Sequence, residues 1–156
     1  MIESAARQLL LESAENTLET MFFTMPDMVS MDPQRPAGEL VAASLTFQGM
    51  PPGRFGFLVS DLVARTLAMN FMGCEDAAQL NSAQVAGVMG ELANMMCGAV
   101  LSEMESDVNF DLSAPASVRV GADELGPDFS LGSASVCRFE FSEGALVCFL
   151  AFEEPV

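Results

Sequence analysis

Glu91 and Asn94 are the residues best placed to do chemistry. They stand three apart in the stretch GELANMMCG, residues 90–98, so on a helix both project from one side. A carboxylate pairs with a cation or accepts a proton. An amide accepts through its oxygen and donates through its nitrogen, so it orients a water without being a strong base. Around the pair stand Gly87, Gly90 and Gly98, each of which costs a helix roughly 1 kcal/mol relative to Ala. A wheel at about 100° per residue gathers Val85, Met89, Leu92, Met96 and Ala99 into a core stripe flanked by Val88. Asn94 points almost opposite, with Gly87, Gly90, Gly98 and Cys97 around it and Glu91 about 60° to one side. The glycines thus fall on the solvent-facing strip that carries Glu91 and Asn94. Small residues there let another molecule approach the helix backbone, which makes Gly87, Gly90 and Gly98 candidate partner-binding positions. An ordinary solvated face, and close helix packing within a homodimer, are the other readings of the same strip.

Composition removes many rival chemistries. The chain has 156 residues and no His, so it can build no Ser-His-Asp triad, Cys-His pair or phosphohistidine relay. Cys74, Cys97, Cys137 and Cys148 form no C-x-x-C pair; free buried thiols in a reducing cytosol are expected, and no metal site. A formal net charge of -16 with six basic residues argues against nucleic acid and anionic membrane surfaces; it would steer a partner with a basic patch toward this surface, or serve solubility alone. The acidic, amphipathic start MIESAARQLLLESAENTLE is not a secretory signal. No apolar run approaches the roughly 20 residues of a membrane span, so a soluble cytoplasmic protein is expected. Asp107, Asn109 and Asp111 imitate an EF-hand start, but Leu112 and Val118 stand where Gly and Glu are required, leaving a polar turn. Asp61 follows a strand without a Gly-rich loop and marks no nucleotide site.

The elements that must position Glu91 and Asn94 follow from periodicity. Glu3 to about Met25 reads as an amphipathic helix with Leu10, Ala14, Leu18, Met21 and Met25 at helical spacing. MPDMVSMDPQRPAG, with three prolines, reads as a loop. ELVAASLTFQG and RFGFLVS alternate around GMPPG and predict a β-hairpin. Ser60 is the expected cap of the helix DLVARTLAMNFM, and Gly73 its end. Asn81 and Gln84 have capping-box spacing ahead of a long helix to about Met104. ASVRVGA predicts a strand, and SVCRFEFSEGALVCFLAF a hairpin around Ser142, Glu143 and Gly144. Its second arm is apolar on both faces, as in a central strand or one covered by another subunit. The order α-ββ-αα-βββ predicts an α+β fold, an antiparallel or mixed sheet with long helices packed on it.

DLVARTLAMNFMG followed by NSAQVAGVMGELANMMCGAVLS resembles the CheC/CheX/FliY family of chemotaxis phosphatases, whose members carry E-x-x-N on a long helix after a hairpin and a shorter helix ending near M-x-G. The resemblance covers most of the chain and implies a single CheX-like domain over residues 1–156. One motif resembles the CheX branch, because CheC types carry two such helices. The first helix has Glu12 and Asn16 four apart, and Glu15 where Glu12-x-x-Asn would need the amide, so no second site is expected there.

The resemblance implies a phosphatase for the aspartyl phosphate of a CheY-type response regulator. Glu91 would pair with a regulator lysine, and Asn94 would orient a water for in-line attack on phosphorus. Positioning and electrostatics carry most of phosphoryl transfer, so such a protein needs no cofactor of its own, and Mg²⁺ comes with the regulator. A homodimer through the β region, leaving the long helix free, is expected. The alternative is a non-catalytic module that holds a phosphorylated receiver domain or a flagellar-switch-type partner.

Overall fold

The computed structural model describes residues 2–49, 51–104, 110–126 and 134–153. Helix α1 spans Ile2–Phe22. Ala6, Leu10, Ala14, Leu18 and Phe22 recur every fourth residue, so they make one buried stripe. Phe22, which stacks on Phe71 at 5.0 Å, occupies the core position that the periodicity offered to Met21. The chain then leaves the helix through Phe23, at φ 54°, and the Thr24 N–H donates to the Leu18 carbonyl at 3.0 Å. Met21 and Met25 are exposed as a result, against expectation.

The proline-rich connector is not all loop. Met28–Ser30 forms β1, paired antiparallel with a strand more than a hundred residues later through the register Met28↔Glu140 and Ser30↔Arg138. The expected hairpin is present as β2, Leu40–Gln48, and β3, Gly53–Ser60. Helix α2 covers Asp61–Met72 and ends at Gly73 in the left-handed region, φ 71°. Ser60 precedes α2 without capping it. Its hydroxyl accepts from the Ala145 N–H at 3.0 Å and donates to the Ala145 carbonyl at 3.2 Å, so the side chain joins two strands instead.

After a 3-10 turn at Ala77–Gln79, α3 runs Ser82–Met104. Short β4, Asp111–Leu112, falls where a polar turn was expected; Asp107 and Asn109 lie outside the described residues. Then come β5, Ala116–Val120, β6, Ser135–Phe141, and β7, Gly144–Phe152. The described strands form one antiparallel seven-stranded sheet in the order β1-β6-β7-β3-β2-β4, with β5 also on β2. The fold is α+β as expected, with two short strands more than the sequence suggested.

The helices share one face of the sheet. Val41, Phe57, Cys148 and Phe139 meet Leu10, Leu67, Leu92 and Met96 there in one core. Full burial of side chains such as Phe57, Leu92 and Met96 is worth about 1.5–3 kcal/mol each, enough to offset the glycines of α3. On the opposite face Leu40, Ala42, Leu58 and Val120 form a second cluster. The doubly apolar β7 lies between β6 and β3, so the central-strand reading holds. The Arg138 Nη1 donates to the Gln34 carbonyl at 2.6 Å and Arg35 Nη2 to the Gly121 carbonyl at 2.8 Å, tying the connector to both margins of that face.

Contrary to the reading of apolar runs, α3 is long and apolar enough to cross a membrane by length and composition, with mean hydropathy 1.4. In this fold it is the core helix: 56% of that stretch is buried inside the protein.

Candidate functional site

The start of α3 is fixed by its caps. Asn81 Oδ1 accepts from the Gln84 N–H at 2.8 Å, and Gln84 Oε1 accepts from the Asn81 N–H at 2.9 Å. This is the reciprocal capping box that the spacing predicted. Arg119 on β5 reaches the same end: its Nη1 donates to Ser82 Oγ at 3.0 Å and lies 3.2 Å from the Asp61 carboxylate, while Nη2 lies 3.5 Å from Glu39. Asp61 also pairs with Arg65 at 3.2 Å, so it is part of a structural network.

One turn further on, Ser117 Oγ donates to the Ala86 carbonyl at 2.7 Å. A Cβ placed on Gly90 would lie 3.5 Å from Pro115 Cγ and 3.5 Å from Ser117 Oγ. Gly90 is buried. It is where the segment entering β5 crosses the helix, and so not on the open strip to which the wheel assigned it. Cys97 is likewise in the core, and burial pushes its thiol up to about 12. The buried arc of α3 is wider than the expected stripe. It takes in Ala93, Cys97, Val100 and Leu101, whereas Ala99 is only partly buried.

What remains in the open is a narrower ridge. Glu91 is exposed and Asn94 is half-buried. Among the described residues neither side chain has a hydrogen-bond or ion-pair partner, so both are available to something else. Gly87 and Gly98 bracket them, and a Cβ at either would meet nothing within 4 Å. Ser102 Oγ turns back to the Gly98 carbonyl at 2.7 Å and so leaves the ridge low at that end. The structure therefore keeps Glu91, Asn94, Gly87 and Gly98 together and removes Gly90. Pro115 and Ser117, which seat the helix, gave no sequence signal beyond the oddity of a helical glycine opposite them. Among the described residues no three His, Cys, Asp or Glu side chains gather as metal ligands, and the cysteines are free.

This arrangement can present a carboxylate and a water-orienting amide to another protein without moving any packed group. The family described as Chemotaxis phosphatase CheX matches residues 41–124, more than half of the chain, with Glu91 and Asn94 inside the match. The chain belongs to the CheX family. Solved structures carry the same fold. CheX from Vibrio vulnificus is 23% identical over 94% of this chain and 95% of its own, with a TM-score of 0.69. A chemotactic CheC-like protein from Shewanella oneidensis MR-1 is 18% identical over 94% and 96%, with a TM-score of 0.72. The structure of a CheX-CheY-BeF3-Mg complex from Borrelia burgdorferi matches at 16% identity over 94% and 97%, with a TM-score of 0.67. No curated protein matches the chain. At these identities the likeness is one of fold.

Proposed function

We propose that this CheX-family chain is a cytoplasmic phosphatase for the aspartyl phosphate of a CheY-type response regulator. The observation that carries the reading is the pair of unpartnered side chains, Glu91 and Asn94, on a ridge kept low by Gly87 and Gly98. The family match and the existence of a CheX-CheY complex from another organism support it. Glu91 pairs with a lysine of the receiver and anchors the helix over its active site. Asn94 accepts a hydrogen bond from a water and holds it in line with the acyl phosphate. The water oxygen bonds to phosphorus, the bond from phosphorus to the aspartyl oxygen breaks, and inorganic phosphate and a free carboxylate result. The Mg²⁺ in this reading belongs to the receiver and supports the phosphoryl oxygens.

The test is phosphate release from a phosphorylated receiver domain with the chain present in catalytic amounts. Many turnovers per chain, abolished by Asn94→Ala with binding retained, are expected. Protection of the phosphoryl group only at stoichiometric amounts would instead make the chain a holding module. The reading includes a homodimer formed away from α3. Strand β5 packs on α3 through Ser117 and Arg119, but Val118 between them, 52% exposed and paired with Ala42, faces the other side of the sheet and supports that placement; light scattering of wild type against Val118→Asp tests it.

A further inference from the structure

The corner between α1 and β1 takes no part in the reading above. Met21, Phe23, Met25, Met28, Val29 and Met31 are all exposed, with Phe23 at 73% and Met25 at 70%. Single exposed apolar residues are ordinary, but six within eleven positions concentrate apolar surface along this short segment, on both faces of β1 as Val29↔Phe139 and Met28↔Glu140 alternate, and concentrated apolar surface marks contact sites. Two backbone features sharpen this. Phe23 is the one non-glycine residue at positive φ among the described residues, a conformation costly to an aromatic and easy for glycine. Its ring is exposed, so packing within the chain does little to offset that cost. Strand β1 is the outermost strand of its sheet and pairs with β6, which leaves its other row of backbone donors and acceptors open to an added strand or segment.

Charge selects the occupant. No Lys or Arg occurs between Gln8 and Gln34, whereas Glu12, Glu15, Glu19, Asp27 and Asp32 do. Of the arginines flanking this stretch, Arg35 donates to backbone carbonyls, and Arg138 on β6 is held by Glu140 at 3.0 Å and the Gln34 carbonyl. A second copy docked at this corner would bring the same local acids against them. An anionic lipid surface is repelled for the same reason. We propose that the corner Phe23–Met31 docks a basic amphipathic segment of another protein, whose apolar face lies on the methionines and whose cations meet Glu19, Asp27 and Asp32. Methionine suits such a surface because its unbranched, polarisable side chain repacks around different partners, and opposite charge speeds and selects the encounter.

The probe is a synthetic Leu/Lys amphipathic peptide of about 18 residues, titrated into the full chain by calorimetry. Wild type binds it, and affinity falls about tenfold or more between about 50 and about 300 mM salt. Met25→Ser with Met28→Ser lowers affinity about tenfold, as loss of a central apolar anchor does. Phe23→Gly raises the Tm, because glycine accepts the left-handed backbone, and lowers affinity by a similar factor; a purely structural Phe23 would change the Tm alone. Phe23→Gly leaves receiver dephosphorylation intact, and Asn94→Ala leaves peptide binding intact, so failure here and failure of the phosphatase reading are separate results. The proposal is overturned if wild type does not bind the peptide, if a Leu/Glu peptide binds equally well, or if Phe23→Gly binds as wild type does. A wild-type dimer made monomeric by the two Met→Ser changes would overturn it too, by assigning the corner to a second copy.

Discussion

Helices α1 and α3 are of similar length and pack on the same sheet face, yet they present different outer surfaces. On α1, Glu12 and Asn16 are both exposed and stand one turn apart. Glu12 is already engaged, accepting from Gln8 Nε2 at 2.8 Å, and Glu19 and Thr20 rise beside Asn16. On α3 the corresponding pair is unpartnered, and glycines stand on both sides of it. The residue types are nearly the same, and so is the spacing. What differs is the height of the neighbours and whether the polar groups are spent. A helix face becomes a tool when its functional groups are left idle and the ground around them is cleared, even at a cost in helix propensity.

The sharpest break of that contrast is Asn94→Asp, which keeps the shape but replaces a donor-acceptor amide with a carboxylate that, in the proposed complex, would face a phosphoryl group. Dephosphorylation is expected to fall about 100-fold or more, the scale at which lost water positioning is felt, with the thermal melt unchanged. Raising the ground comes next. Gly87→Leu puts a side chain where, in the proposed complex, the receiver would close, an obstruction worth about 1–3 kcal/mol; KM for the phosphorylated receiver is expected to rise about tenfold or more while the chain remains folded. The lesser Gly87→Ala separates helix stability from access. It removes a helical glycine with open space around it, so stability increases by about 0.5–1 kcal/mol and the Tm by about 1–4 °C, while activity falls or stays level. Should Gly87→Ala raise activity, the cleared-ground reading is wrong. Asn81→Ala removes one arm of the capping box and lowers stability by about 1 kcal/mol. The smallest effect is expected for Glu15→Asn, which gives α1 the E-x-x-N spacing from Glu12. Glu15 is half-buried and Glu12 is tied, so this change restores no activity to an Asn94→Ala chain.

Cys97 offers a check on which side of α3 is closed. Its thiol is raised by burial from 9.0 to about 12, so the folded protein holds a proton that the unfolded chain releases. Its contribution to stability is full below about 9 and is lost as the pH rises through about 12. In the native state Cys74, the one cysteine that is not fully buried, reacts first with a thiol reagent. Fast labelling of Cys97 would return it to the open face.

The legible parts of this fold were those set by local rules. The apolar repeat gave the inner face of α3, alternation gave the first hairpin, the Ser142–Gly144 turn gave the second, and Asn81 with Gln84 gave a cap that the structure reproduces bond for bond. Glu91 and Asn94 were legible because two neighbours on a helix share a side whatever the tertiary fold. The misses came from distant partners. Strands β1 and β4, three and two residues long, are too short for a period and are strands only because β6 and β2 supply their hydrogen bonds. Gly90 was misplaced because a wheel gives direction but not what stands opposite, here Pro115 and Ser117. Ser60 had the chemistry of a cap, and the backbone of Ala145 claimed it first. Met21 and Met25 lost their core positions where Phe23 bent the chain out of the helix.

The pairing of β1 with β6 has a consequence in time. During synthesis β1 leaves the ribosome long before the strand that receives it, since Ser30 waits for Arg138. At roughly 5–20 residues per second that delay is about 5–20 s. Throughout it the methionine-bearing stretch has no sheet to join, and neighbouring chains on one messenger expose the same stretch. The acids between Gln8 and Gln34 are present from the start of that interval, and their like charge disfavours close approach of two nascent copies.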